Sequence, residues 1–335
     1  WDNSMASLVQ ELIRSIQSLV SQDFYERSAG QDLFQSLYLN LIPRTIRHQL
    51  GEYYTPSWLT EFAMEQVNFS DPASQSIMDP YCGSGAFLIQ AISRIKEWNH
   101  SAGLTNNELV RLILSQVHGL ELNPVGLLSA KANYLLQILP LLDSDETSEI
   151  TLPLHEHNLF EGRADKLVNE GKIHKEYDRV IGNPPWIRWD YMSSSMREKT
   201  LPLWKEYGLF SLKGYQSSLG GGKKDLSMLC TYLASDLLLK DKGKLGFLIT
   251  QEAFKSKGSG EGFRQFCIPS SKTPLEIEAV HDFTAMKPFS GTANKTAFCL
   301  LTKGQTTHYP VPYYEWTWKK KGRKALITFV TGGDT

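Results

Sequence analysis

The sequence predicts an α/β protein with a seven-stranded, mostly parallel sheet and helices on both faces. From residue 76 onward, short apolar segments alternate with helical patterns, and this alternation is typical of parallel sheets. Asn123-Pro124 has the order of a helix cap and a first-turn proline, so a helix starts directly after the second strand. We predict strands at 77–79, 117–121, 150–154, 179–182, 245–250, 277–281 and 297–302, and helices at 86–98, 106–115, 124–138 and 225–240.

The residues ahead of the first strand are predicted to be helical. Residues 1–49 carry apolar residues at helical spacing, and we expect an N-terminal helical segment there. Thr55-Pro56 has the pattern of a helix start and opens the main domain, which we place at 50–305. Tyr53 and Tyr54 precede this start, and the pair could cover a bound nucleoside.

A glycine turn follows the first predicted strand and opens a helix. Gly83 and Gly85 allow a close backbone approach to a ligand, and Ser84 between them can cap the helix. The turn is neither the GxGxxG dinucleotide fingerprint nor a phosphate-binding loop with Gly-Lys-Ser/Thr. An acid, Asp79, followed by glycines suits a ligand that has a cationic centre and no phosphates. An ordinary tight turn is the alternative.

Polar residues also follow the second and third predicted strands. Glu121, at the end of the second, is placed to accept hydrogen bonds from both hydroxyls of a ribose. Asn158 follows the third strand and can hydrogen-bond the edge of an adenine, with Leu159 or Phe160 packed on its face. A solvated acid at a strand end is the alternative for Glu121.

The tetrapeptide Asn183-Pro184-Pro185-Trp186 follows the fourth predicted strand and is the most informative part of the chain. The two prolines fix φ and lack N–H groups, so the strand stops and the chain turns rigidly. The Asn183 amide oxygen and the Pro184 carbonyl can both accept hydrogen bonds from one exocyclic amine, and Trp186 can stack on a base. By itself, the tetrapeptide is equally compatible with a proline-terminated turn and a buried Trp.

The later part of the chain is less regular. Residues 187–224 are polar and rich in Gly, Ser and Lys, which predicts a mobile loop or lid over the sheet edge. Residues 306–335 do not continue the alternation, and we expect a linker or the start of a further module there.

The composition bounds the class of protein. The chain has 335 residues, 41% of them hydrophobic, and a formal net charge of −1, so any nucleic-acid binding must come from local patches. Its four cysteines are scattered without metal-ligand spacing, which indicates reduced thiols and no metal site. We find neither an apolar run of transmembrane length nor a signal peptide, and expect a cytoplasmic protein that does not bind membranes. It begins at Trp1 rather than Met, which leaves open a longer parent polypeptide.

Residues 35–305 resemble the gamma-class N6-adenine DNA methyltransferases, especially those of type IIG restriction–modification and of the phage-defence systems BREX and DISARM. The resemblance rests on five motifs in the family's order: Gly-Glu-Tyr-Tyr-Thr-Pro, Asp-Pro-Tyr-Cys-Gly-Ser-Gly-Ala-Phe, Gly-Leu-Glu-Leu-Asn, Asn-Leu-Phe and Asn-Pro-Pro-Trp. It implies a Rossmann-like class I methyltransferase fold and transfer of a methyl group from S-adenosylmethionine to the exocyclic amine of adenine. It also implies double-stranded DNA with a flipped adenine as substrate, and a DNA-recognition domain or partner subunit of a defence complex.

The resemblance assigns roles to individual residues. The implied cofactor-binding residues are Tyr54, Thr55, Pro56, Asp79, Cys82, Gly83, Ser84, Gly85, Glu121, Asn158 and Leu159. The implied catalytic residues are Asn183, Pro184, Pro185 and Trp186, and the base-binding candidates are Trp186, Phe289 and Asp225. At position 158 the family usually has Asp rather than Asn.

Two alternative functions remain open from the sequence. Asn-Pro-Pro-aromatic motifs also occur in methyltransferases that act on RNA adenine or on protein glutamine. A non-catalytic DNA-binding subunit with the same fold is an alternative of a different class. An intact tetrapeptide together with Glu121 favours an enzyme, and the upstream Tyr-Tyr-Thr-Pro motif favours DNA.

Overall fold

The computed structural model describes residues 53–142, 150–209, 224–256, 259–289, 294–318 and 325–330. The helical segment predicted at 1–49 lies outside these ranges. The helices are α1 (Ser57–Gln66), α2 (Ala86–Ala102), α3 (Asn106–Gln116), α4 (Pro124–Ile138), α5 (Asp165–Asn169), α6 (Ser194–Glu206), α7 (Leu226–Leu237), α8 (Glu252–Lys255) and α9 (Ser259–Phe263). The strands are β1 (Ile77–Asp79), β2 (Val117–Glu121), β3 (Leu154–Glu156), β4 (Tyr177–Gly182), β5 (Leu239–Thr250), β6 (Cys267–Ile268), β7 (Thr273–Asp282), β8 (Thr296–Lys303), β9 (Tyr313–Trp318) and β10 (Ala325–Val330).

The strands form one mixed sheet in the order β10-β9-β7-β8-β5-β4-β1-β2-β3, and β6 pairs with β7. Strands β1 to β5 pair in parallel, whereas β8 runs antiparallel to both β5 and β7. The seven predicted strands are therefore present and mostly parallel, as expected. Strands β6, β9 and β10 add to them. Because β9 pairs in parallel with β7, the sheet continues beyond residue 305, and the domain boundary there stays a prediction.

The hydrophobic core lies on both faces of the sheet. Side chains alternate along a strand, so Phe247 and Ile249 of β5 join one buried cluster and Leu248 joins the other. Helices α6 and α7 cover the first face through residues such as Trp204, and α1, α2 and α4 cover the second through residues such as Tyr134. Each large apolar side chain buried in this way stabilises the fold by about 1.5–3 kcal/mol. The prediction of helices on both faces is confirmed.

Three local predictions need correction. The third strand was expected at 150–154 but is β3 at Leu154–Glu156, because Pro153 has no N–H for the ladder and uses only its carbonyl, which accepts from the Gly119 N–H at 3.0 Å. The segment 187–224 was expected to be a loop, yet its described part contains α6. The helix expected at 225–240 ends at Leu237, since Leu239 already belongs to β5.

The strand order reverses beside β1, which lies between β2 and β4. The chain segments that leave the carboxyl ends of β1 and β4 diverge there, and such a reversal opens a crevice in which α/β proteins bind ligands. Within the described ranges, no helix is both long and apolar enough to span a bilayer.

Candidate active site

A cavity of about 800 Å³ opens at the carboxyl ends of β1, β2, β3 and β4. This volume lies within the range of small-molecule sites. Many predicted site residues line it, namely Tyr54, Thr55, Asp79, Cys82, Gly83, Ser84, Glu121, Asn158, Leu159, Asn183 and Pro185. The glycine turn after β1 and the proline turn after β4 thus share one cavity, which is the arrangement that the predicted chemistry requires.

The orientation of the Asn183 amide is set by the segment that precedes α1. Its Nδ2 donates to the Tyr53 carbonyl at 2.8 Å and to the Thr55 Oγ1 at 3.2 Å. A backbone carbonyl can only accept, so the reverse orientation of the amide would bring two oxygens together. The buried Oδ1 has no hydrogen-bond partner among the described residues. An acceptor oriented in this way is available to an amine that enters the cavity.

Asp79 is a buried acid that uses only one of its two carboxylate oxygens in hydrogen bonds to the described residues. It is 1% exposed, its Oδ1 accepts from the Tyr81 N–H at 3.1 Å, and its Oδ2 is unpartnered within the described part of the chain. Burial, reinforced by the charge of Glu121, raises the pKa of the Asp79 carboxyl well above its usual range. A Cβ at Gly182 would lie 2.6 Å from Asp79 Oδ1, so this close approach requires glycine at the end of β4. A cationic ligand beside Asp79 would stabilise its ionised form.

Glu121 is held against the glycine turn. Its Oε2 accepts from the Gly83 N–H at 2.8 Å, and its Oε1 accepts from the Asn123 N–H at 2.7 Å. Gly83 has φ +54°, a left-handed conformation that favours glycine. A carboxylate oxygen can accept more than one hydrogen bond, so an acid fixed in this way suits the binding of hydroxyl groups.

Asn158 has a local structural role at the cavity wall. Its Oδ1 accepts from the Phe160 N–H at 3.0 Å and begins the 3-10 turn Leu159–Glu161. Leu159 is 1% exposed. An adenine edge would have to share the Asn158 oxygen with the backbone, and the predicted contact stays a prediction.

The predicted base-stacking residue Trp186 is packed behind the cavity. It is 3% exposed, and its Nε1 donates to the Leu248 carbonyl at 3.1 Å. Tyr53 stacks on its ring, and Phe289 meets it edge to face. Of these three rings only Tyr53 belongs to the cavity lining, so the structure brings Trp186 and Phe289 together but does not expose them to a ligand.

Four other predicted residues lie outside the cavity lining of the described chain. Pro56 immediately precedes α1, Gly85 immediately precedes α2, and Pro184 belongs to the rigid turn after β4. Asp225 caps α7 by accepting from the Ser227 N–H at 3.0 Å. Burial raises the pKa of the Asp225 carboxyl to about 6. Its predicted contact with the base stays a prediction.

The residues before and at the start of α6 complete the cavity and were missed. The additional lining residues from this part of the chain are Ile187, Tyr191, Met192, Ser193 and Met196. A usable signal was present, because Ser193 is a helix cap whose hydroxyl accepts from the Met196 N–H at 3.2 Å. The polar composition of 187–224 obscured it.

Comparisons with known proteins identify the family and the fold of this chain. The fold is that of class I methyltransferases, and residues 30–325 match the family N-6 DNA Methylase, so the chain belongs to this family. It is 26% identical over 270 residues to the type II methyltransferase M.VspI of Vibrio sp. (strain 343), covering 80% of this chain and 51% of the relative. It is 30% identical over 128 residues to the methylase subunit of the Escherichia coli type I restriction enzyme EcoEI, covering 37% and 24%. The chain spans about half the length of M.VspI and less of the other curated relatives it matches.

Solved structures show the same fold at low sequence identity. The ATP-dependent type ISP restriction–modification enzyme LlaBIII bound to DNA superposes with a TM-score of 0.61 at 14% identity, over 85% of this chain and 21% of that chain. A type I restriction–modification methyltransferase subunit from Streptococcus thermophilus superposes with a TM-score of 0.53 at 18% identity, over 83% and 50%. The predicted family and fold are confirmed, and with them S-adenosylmethionine as the methyl donor of the class.

Proposed function

We propose that this protein transfers a methyl group from S-adenosylmethionine to the exocyclic amine of adenine in DNA, within a restriction–modification or phage-defence system. The observation that supports this most strongly is the buried Asn183 Oδ1, which has no partner among the described residues and lies in the same cavity as Asp79 and the glycine turn. Membership of the N-6 DNA Methylase family supports the choice of adenine in DNA.

The cavity residues fit the methyl donor. Asp79 Oδ2, which no described residue contacts by a hydrogen bond, suits the cationic amino-acid end of the donor, and Glu121 suits its ribose hydroxyls. Leu159 belongs to the cavity lining and suits an apolar contact with the donor's adenine. When bound, S-adenosylmethionine supplies a methyl carbon made electrophilic by its sulfonium.

The chain itself orients the accepting amine. The amine donates one hydrogen bond to Asn183 Oδ1 and one to the Pro184 carbonyl, and this pair of bonds aims the nitrogen lone pair at the donor. Most of the acceleration then comes from orientation in a site from which water is excluded. No nucleophilic side chain is required, and burial raises the pKa of the Cys82 thiol well above its usual range, which keeps Cys82 protonated.

The partner that this function requires is double-stranded DNA with one adenine turned out of the helix. Extrusion of a base costs a few kcal/mol. Because the chain carries a net charge of only −1, we place sequence recognition in a further domain or in a partner subunit. Relatives described as methylase subunits of type I restriction enzymes support the assignment of sequence recognition to a different domain or subunit.

Asn183→Ala tests the proposal. Labelled-methyl transfer to DNA should fall by about 10²–10³-fold or more, the usual effect of removing one preorganised hydrogen-bonding group. The calorimetric affinity for S-adenosylmethionine should stay near the wild-type value. Asn169→Ala, at the exposed end of α5, is the matched control and should transfer normally. Near-normal turnover by Asn183→Ala would refute the role of Asn183.

The same assay separates the substrates. DNA, RNA and protein are offered in parallel to the wild-type protein, and label is expected in DNA adenine. Label found instead in RNA or in protein glutamine would identify that molecule as the substrate in place of DNA. An absence of heat on titration with S-adenosylmethionine would indicate a non-catalytic subunit.

A further inference from the structure

Three aromatic rings form a cluster beside the cavity, and one of them, Tyr53, belongs to its lining. Tyr53 stacks on Trp186, with ring centroids 5.0 Å apart and planes 30° apart. Phe289 meets Trp186 edge to face at 4.8 Å and Tyr53 at 6.3 Å. Trp186 and Phe289 are 3% and 5% exposed, whereas Tyr53 is half-buried and lines the cavity. A flat group that reaches Trp186 from the cavity therefore meets Tyr53 first.

We propose that the Tyr53 ring occupies the position in which the target base stacks on Trp186. The incoming base must displace this ring. This inference rests on the proposed function and names the group that the incoming adenine must move. The stacked geometry of Tyr53 on Trp186 is one that an adenine ring can adopt equally well. Without Tyr53, the indole face of Trp186 would be open to the cavity.

The backbone of Tyr53 places this stacking position beside the catalytic acceptor. The Tyr53 carbonyl accepts from Asn183 Nδ2 at 2.8 Å, so the ring and the amide belong to neighbouring parts of one site. A base that takes the place of the ring would stack on Trp186 with its amine close to Asn183. The side chain and the carbonyl of Tyr53 have separate roles for this reason.

Because the Tyr53 carbonyl, and not the Tyr53 ring, holds the Asn183 amide, the ring can move without disturbing Asn183. Rotation about χ1 of Tyr53 removes the ring from Trp186 but leaves the carbonyl in place. Thr55 Oγ1 holds the same amide nitrogen at 3.2 Å and adds a second restraint. Base entry is therefore expected to change one side-chain rotamer while the amide orientation is retained.

The test measures binding of 2′-deoxyadenosine to the full chain saturated with sinefungin, a cofactor analogue without a transferable methyl group. Tyr53→Ala removes the competing ring and should bind the nucleoside about 2- to 13-fold more tightly than wild type, the range expected for one aromatic pair. Tyr53→Phe keeps the ring and is the matched control, with an affinity close to wild type. Tyr53→Leu replaces the alanine variant if that variant does not fold, and the same tightening is expected.

Three results overturn the inference. Tyr53→Ala could bind the nucleoside more weakly, which would make Tyr53 a wall of the base site; it could bind equally well; or it could bind none. Sinefungin affinity, measured separately for each variant, shows whether the donor site is intact. Methyl transfer to DNA by the wild-type protein is assayed alongside. If transfer occurs while Tyr53→Ala binds weakly, only this inference fails, whereas absence of transfer by wild type removes the proposed function and the inference together.

Discussion

Thr55→Val separates orientation of the Asn183 amide, for which we propose a catalytic role, from cofactor binding. Thr55 is 8% exposed, and its Oγ1 lies 3.2 Å from Asn183 Nδ2. Valine is close to threonine in volume and keeps the methyl group, but it removes the acceptor. The Tyr53 carbonyl at 2.8 Å then holds the amide alone.

The expected effect follows from the strength of one hydrogen bond. A typical intramolecular hydrogen bond contributes about 0.5–1.5 kcal/mol. If all of this is lost only in the transition state, kcat falls by roughly 2- to 13-fold, since 1.36 kcal/mol corresponds to a factor of ten. The affinity for S-adenosylmethionine should change by less than about twofold, because the variant changes no charge and little volume.

The assay is steady-state transfer of labelled methyl to DNA, with the cofactor affinity measured by calorimetry. Thr55→Ser keeps the hydroxyl and should retain most of the wild-type kcat. A valine variant with normal kcat and a raised KM for the cofactor would refute the reasoning, because Thr55 would then act on the cofactor. A serine variant as slow as the valine variant would show that the hydroxyl is not responsible.

Two further predictions concern charge. Asp79→Asn should weaken S-adenosylmethionine binding by about 10- to 150-fold, the value of a charge-assisted hydrogen bond of 1.5–3 kcal/mol, and calorimetry measures the loss. Because burial raises the pKa of Asp79, wild-type affinity should fall as pH falls through that raised pKa, and Asp79→Asn should lack this dependence; equal pH profiles would contradict it. His118 lies near the amino end of β2, where burial lowers its pKa to about 3. The unfolded value is about 6.5. The contribution of His118 to the free energy of unfolding is therefore complete above pH ~6.5 and should fall by up to about 1.4 kcal/mol per pH unit as pH drops toward 3, because only the unfolded chain takes up the proton. Urea unfolding at several pH values should give a shallower slope for His118→Gln, and an unchanged slope would assign the effect to other groups.

The convergence of the site could be predicted from sequence because the fold class dictates it. Asp79, Glu121 and Asn183 each stand at or directly after the end of a predicted strand, and parallel strands bring such positions to one edge. The glycine at position 182 has a reason that only the structure shows. Its missing Cβ makes room for Asp79 Oδ1, a contact between residues of two neighbouring strands.

Contacts between distant parts of the chain could not be predicted. The hydrogen bond from Asn183 to Tyr53 joins residues 130 positions apart, and neither residue type implies the other. Helix α6 carries Pro202 in its interior, and from sequence alone a proline there predicts that the helix ends. The pairing of β9 with β7 was missed for a similar reason, since the turn-rich residues before β9 suggest that the sheet has ended.

The orientation of the Asn183 amide depends on the segment before α1, and packing of α1 in the hydrophobic core holds that segment in place. Pro56 caps α1 in an extended conformation and accepts from the Leu59 N–H at 2.9 Å, which fixes the path of Tyr53 and Thr55 into the helix. Leu59 is fully buried in the cluster that also contains Trp186, so packing of α1 holds the segment against the turn after β4. In the described structure α1 contributes no residue to the cavity lining. The helix nevertheless determines which atom of the Asn183 amide is left for the proposed substrate, because it positions the carbonyl and the hydroxyl that hold the opposite atom.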